Sequence, residues 1–272
     1  MTIVEIAQLA ADKLHADVNR LNATGDLRRE ERRRRLFSAE KWEAAPDTPL
    51  AQLIDHTMLR ADATVGVIEQ LCSEAREIGC RAVCVNPAYV ALAANALAGS
   101  SVRVAATVGF PLGATRSHVK VVEAMDCVAQ GATEIDLVIN VGVLKDRQLA
   151  LVLAELSDMT RAVGSAALTK VILEVCYLNT EEIALGCLLA KWAGADFVKT
   201  STGFGSGGAT TSAVSLMRAV VGSNMGVKAA GGVRGAQQAR ALIAAGASRI
   251  GASRTLALVA EDNSEKQEGT DA

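Results

Sequence analysis

The chain has 272 residues, with 28 Lys and Arg against 30 Asp and Glu, so its net charge is −2. That balance argues against a chain built as a whole to bind nucleic acid or an anionic membrane surface. Half of the residues are apolar but only 3% are aromatic, and the abundance of Ala, Val, Leu, Ile and Gly suits parallel strands buried on both faces.

Residues 1–49 differ from the rest. Ile3 to Leu21 reads as a helix, a charge run follows from Arg28 to Arg35, and Pro46 and Pro49 end any helix before the next apolar run. The Arg run holds Glu30 and Glu31 and no interleaved aromatics, so it reads as a solvated face with Arg–Glu pairs, not a nucleic-acid patch. Met1 to Asp17 carries Glu5 and no long apolar run, which does not fit a signal peptide. No uncharged apolar stretch reaches the roughly 18 residues of a membrane helix. The six cysteines (Cys72, Cys80, Cys84, Cys127, Cys176 and Cys187) form no CxxC pair, so reduced thiols in the cytoplasm are expected.

From Leu50 a new rhythm begins. Short β-branched runs predict strands at Gln52–Asp55, Ala82–Val85, Arg103–Val108, Glu134–Ile139, Lys170–Val175, Asp196–Lys199, Gly226–Lys228 and Arg249–Ile250. Amphipathic runs between them predict helices at Val65–Ile78, Ser117–Ala129, Gln148–Val163, Thr180–Trp192, Thr211–Val221 and Ala236–Ala245. Gly79, Gly131, Gly194 and Gly246 recur as helix stops ahead of the next strand. Eight such units fit a (β/α)8 barrel of the α/β class; an open doubly wound sheet is the alternative. The barrel is favoured because Asp55, Asn86, Thr107, Asp136, Asn140, Glu174, Lys199, Lys228 and Ser253 fall at or near strand ends, where a barrel gathers them at one mouth. The expected organisation is an N-terminal helical, charged extension (1–49), the barrel (50–260) and a polar, flexible tail (261–272).

The chemistry centres on two lysines in apolar strands, Lys199 and Lys228. Lysine is seldom buried without a partner or a task. Desolvation and a like neighbouring charge both depress a lysine pKa, and only the neutral amine is a nucleophile. The plainer possibility is that each lysine pairs with a carboxylate such as Asp136. Asp136 shares one strand face with Glu134 and Val138, and beside two lysines it could shuttle protons. Asp55 could hold a lysine in place or cap a loop.

Glycine-rich segments Gly203–Phe204–Gly205, Gly231–Gly232 and Gly251–Ala252–Ser253 follow strands, as phosphate-binding loops of barrels do. No Asp or Glu occurs from Phe197 to Ala260, whereas seven Lys or Arg do, which suits an anionic substrate. Gly203–Gly208 matches a dinucleotide-binding glycine pattern, but the acidic residue about 20 positions on is missing. Histidines 15, 56 and 118 lack ligand spacing, so no metal site is expected. Cys84 reads as a core thiol.

Taken in order, Leu53–Ile54–Asp55–His56–Thr57, Val83–Cys84–Val85–Asn86–Pro87, Thr107–Val108–Gly109–Phe110–Pro111–Leu112–Gly113, Glu134–Ile135–Asp136, Phe197–Val198–Lys199–Thr200–Ser201–Thr202–Gly203–Phe204 and Gly226–Val227–Lys228–Ala229–Ala230–Gly231–Gly232–Val233–Arg234 resemble the deoxyribose-phosphate aldolase family. The resemblance implies cleavage of 2-deoxy-D-ribose 5-phosphate through a lysine Schiff base, with no cofactor or metal. It implies Lys199 as the Schiff-base lysine, Lys228 as its tuner and proton relay, Asp136 in that relay and Asp55 on the second lysine. Thr202, Gly203, Gly231, Gly232 and Ser253 match substrate-binding positions, and Arg254 stands where some members have a second serine. It further implies an intracellular homo-oligomer, often a dimer. An aldolase for another sugar phosphate and a non-catalytic phosphate-binding barrel remain alternatives.

Overall fold

A computed structural model describes residues 48–270, the last six by their backbone alone, together with Glu5, Ala44 and Ala45. Almost all of the expected N-terminal extension, including Arg28–Arg35, lies outside the described residues. Eight parallel strands close into a barrel in sequence order: β1 (Ile54–Met58), β2 (Ala82–Val85), β3 (Arg103–Val108), β4 (Glu134–Val138), β5 (Leu168–Ile172), β6 (Phe197–Lys199), β7 (Gly226–Ala230) and β8 (Arg249–Ala252), with β8 pairing back to β1. Helices alternate with them: α1 (Val65–Ile78), α2 (Val90–Ala96), α3 (Ser117–Ala129), α4 (Val141–Lys145), α5 (Leu149–Val163), α6 (Thr180–Ala193), α7 (Thr211–Val221), α8 (Ala236–Ala244) and α9 (Thr255–Thr270).

Three of the expected helices have these bounds, and α5, α6 and α8 differ by one residue at one end. Three differences matter. A single 3-10 turn, Leu50–Leu53, precedes β1, so Asp55 sits inside the strand rather than at its end. Strand β5 begins two residues earlier than expected, which moves Lys170 from the strand's start to its interior. The last helix continues from Thr255 to Thr270, across the boundary set at residue 260. Two short helices, α2 and α4, carry too few turns to show a period and were not expected.

Alternation along each strand separates two buried spaces. In β4, Ile135 and Leu137 join the large apolar core between barrel and helices, whereas Glu134 and Asp136 are fully buried inside the barrel. The same split places Val171 and Val198 outward, and Lys170 and Lys199 inward. Within the barrel, Gly226 makes room for a ring: a Cβ there would lie 2.1 Å from Phe197 Cε1. Phe197 also faces Arg249, whose guanidinium carbon is 5.3 Å from the ring centroid.

Candidate active site

Strand register builds the site. Lys199 of β6 is aligned with Lys228 of β7, so the two lysines are neighbours on one face rather than opposite each other. Asp136 of β4 reaches them from across the interior: its Oδ2 accepts from Lys199 Nζ at 2.8 Å and from Lys228 Nζ at 2.8 Å. Its other oxygen, Oδ1, is ion-paired with Lys170. Lys228 is also paired with Asp55 Oδ2, while Asp55 Oδ1 lies 2.6 Å from Arg249. Glu134 completes the array, 2.7 Å from Lys170 and 3.1 Å from Arg249. The two lysines thus stand side by side, and each pairs with Asp136.

The array buries three carboxylates (Asp55, Glu134, Asp136) with four cations (Lys170, Lys199, Lys228, Arg249), all at most 2% exposed. An isolated buried charge is costly, so the matching of charges decides who keeps a proton. Burial acts against the charge on Lys228, but Asp136 and Asp55 outweigh it and hold its pKa above the ordinary value. Lys170 is likewise raised, because Asp136 and Glu134 outweigh burial, and Arg249 is raised by Asp55 and Glu134. Lys199 goes the other way. Burial lowers its pKa, Asp136 opposes this, and the Lys228 charge lowers it further. Burial would raise the carboxylate pKa values, yet the cations hold Asp136 well below its ordinary value and Asp55 and Glu134 below theirs. Three carboxylates face four cations, and Lys199 is the cation whose pKa is lowered.

The expected positions do not all take part. Cys84 is fully buried with its Sγ 4.0 Å from Asp136 Oδ2, and burial pushes its thiol pKa up. Asn140 is used locally: its side chain accepts from the Val143 amide and caps α4. Thr202 is buried, and both its amide and its hydroxyl point at Glu174. Gly203, Gly231 and Gly232 take positive φ values of 88°, 89° and 74° in the turns after β6 and β7, and Ser253 is exposed just before α9. Gly208 packs directly on Gly231, where a Cβ would fall 2.1 Å from the Gly231 carbonyl oxygen. Phe110 and Phe204 meet edge to face, 5.3 Å between centroids, linking the segments after β3 and β6.

Lys170 is the residue that sequence reasoning missed. Its signal was available, since Lys170 is a lysine in the apolar run Leu168–Ile172, like the two that were chosen. A strand starting at Lys170 puts it at the edge of the barrel opposite the mouth, not in the interior. Among the described residues no group of three or more His, Cys, Asp and Glu side chains is placed to hold a metal ion.

A closed (β/α)8 barrel with paired lysines over one carboxylate defines the class: this is a barrel aldolase. The chain belongs to the DeoC/LacD aldolase family, whose model matches residues 50–260. It is 51% identical to a deoxyribose-phosphate aldolase of Thermoanaerobacter sp. (strain X514) over 216 residues, 79% of this chain and 97% of the relative. It is 54% identical over 211 residues to one from Aciduliprofundum boonei, covering 77% of this chain and 95% of that one. Among solved structures it resembles the tetrameric deoxyribose phosphate aldolase from Aeropyrum pernix, with a TM-score of 0.75 and 32% identity over 81% of this chain and 93% of that one.

Proposed function

We propose that the chain reversibly cleaves 2-deoxy-D-ribose 5-phosphate to D-glyceraldehyde 3-phosphate and acetaldehyde, with Lys199 as the Schiff-base lysine. The observation that carries this reading is the charge matching above: of the four cations inside the barrel, Lys199 is the one whose pKa is pushed down. A neutral amine adds to the substrate aldehyde, and loss of water leaves an iminium. The C3 hydroxyl gives up its proton and the C2–C3 bond breaks. Its electrons pass to the iminium and form the enamine of acetaldehyde. Protonation at C2 and hydrolysis return the free amine.

In this mechanism Asp136 takes and returns the protons, because its Oδ2 already sits 2.8 Å from both Nζ atoms. Lys228 lowers the Lys199 pKa by its charge and joins the relay, giving up and regaining a proton, and Asp55 holds Lys228. The 5-phosphate is placed at the turns bearing Gly203, Gly231, Gly232 and Ser253, beside the exposed Arg234 and Arg254. Thr202 shapes that loop from beneath. No cofactor or metal enters any step.

The test is borohydride reduction during turnover of deoxyribose 5-phosphate, followed by peptide mapping. The expected adduct is on Lys199. Reductive labelling of any other lysine, or none in an active enzyme, overturns the assignment. We further propose that the chain works in the cytoplasm as a homodimer. Val119, Val122 and Met125 expose apolar surface along α3, which a second copy would cover. Sedimentation of a monomer at micromolar concentration would refute the dimer.

A further inference from the structure

We propose that Glu174 is a positioning residue: it holds the loop between β6 and α7, and through that loop sets the preference for a 5-phosphorylated over an unphosphorylated sugar. The proposal rests on the functional reading above.

Glu174 follows β5 with φ 57° and ψ 64°, a left-handed conformation that side-chain-bearing residues seldom adopt. It is only 3% exposed. Its carboxylate accepts the Thr202 amide at 3.3 Å on each oxygen and also the Thr202 hydroxyl. The Thr202 hydroxyl oxygen in turn accepts the Phe204 amide at 3.0 Å. One carboxylate thus fixes the loop on both sides of Gly203.

The rest of the loop lies on the same turn. A Cβ on Gly205 would come within 2.8 Å of Cys176 Sγ and 3.2 Å of Glu174 Cδ, and one on Gly207 within 3.0 Å of Cys176 Cβ. On its far side the loop is held by β7, where the Ala209 amide donates to the Gly231 carbonyl at 3.0 Å. Residues 203–208 are therefore gripped between the ends of β5 and β7, and Glu174 is the charged half of the grip. A bare carboxylate near a phosphate would repel it. Here the Thr202 donors occupy the carboxylate, so Glu174 suits an orienting role and not substrate contact. Backbone amides recognise phosphate only when the loop that carries them is fixed in advance.

The variants are E174G and E174Q. Glycine keeps the left-handed backbone and removes both acceptor oxygens; glutamine keeps one. The readout is the ratio of kcat/KM for 2-deoxy-D-ribose 5-phosphate to that for 2-deoxy-D-ribose. We expect E174G to lower this ratio about tenfold or more, mainly through KM for the phosphorylated sugar, and E174Q to recover most of it. A merely structural loss would reduce both substrates in proportion. If E174G does not fold, T202V reads the same ratio from the other end of the contact. An unmoved ratio in active, folded E174G, or in T202V where E174G does not fold, overturns the role of Glu174 and leaves the proposed reaction standing. A wild type that cleaves neither sugar overturns the reaction, and this inference with it.

Discussion

The strands of this barrel border two buried spaces built from opposite chemistries. Outside, between strands and helices, Ile135, Leu137, Val171, Val198, Val227 and Ile250 pack in one apolar core. Inside, one residue away along the same strands, Glu134, Asp136, Lys170, Lys199 and Lys228 are just as buried but charged. The outer space is stabilised by area removed from water and is indifferent to which apolar residue meets which, within volume. The inner one holds together only if its charges match. Reactivity comes from the inner space: an amine becomes nucleophilic where burial leaves it without a full share of anion, and there Lys199 shares Asp136 with two other lysines.

The largest effect should come from Lys199 itself. K199A is expected to cut deoxyribose 5-phosphate turnover by about 10⁴-fold or more, the scale of losing a covalent nucleophile. Because Lys199 is the surplus cation, the variant should unfold at the same denaturant concentration as wild type or a higher one. Urea melts with a strongly lowered midpoint would mean that Lys199 is an ordinary structural ion pair, and the contrast between the spaces would lose its point.

A smaller effect concerns pH. Attack needs the neutral amine, so kcat/KM rises with pH through the Lys199 pKa. Lys228 lowers that pKa by its charge and shares Asp136 Oδ2 with Lys199. In K228M the repulsion is gone and Asp136 Oδ2 is left to Lys199 alone; both changes favour the protonated amine. The acid limb of the profile should therefore move up by roughly one to two pH units. A limb that stays put or moves down would show that Lys228 does not tune its neighbour.

Much of this was legible in the sequence because it depends on period and position. Gly79 and Gly194 stop α1 and α6 in left-handed conformations, as their place after amphipathic runs implied. Lys199, Lys228 and Asp136 stood out because charge inside an apolar strand breaks the local pattern. What escaped depends on register and on contacts between distant strands. Lys170 was hidden by a boundary error of two residues in β5. Nothing local marks Glu174 as a left-handed residue under a loop 28 positions away. The direction of the Lys228 pKa also could not be read locally, because it hangs on Asp55 and Asp136, which come from other strands.

The outer space contains a fully buried lysine with a carboxylate partner, and the pair supplies the finest test of that contrast. Lys120 of α3 is fully buried; its Nζ donates to Glu155 Oε1 at 2.8 Å and to the Val138 carbonyl at 2.9 Å. Burial lowers its pKa while Glu155 opposes the shift, so this pair too lives under desolvation. It is a simple pair, however, and removing both partners leaves one carbonyl short of a donor but no unmatched charge. K120M/E155L should thus leave stability unchanged or raise it by about 1–4 kcal/mol, with kcat/KM within about twofold of wild type. The same operation inside, E134L/K170M, takes a carboxylate from Arg249 and a cation from Asp136 and Asp55, whose partners are shared. A cost of about 3–5 kcal/mol is expected there. Chemical denaturation of the two double variants side by side decides the matter, because equal losses would mean that the barrel interior is no more dependent on charge matching than the wall around it.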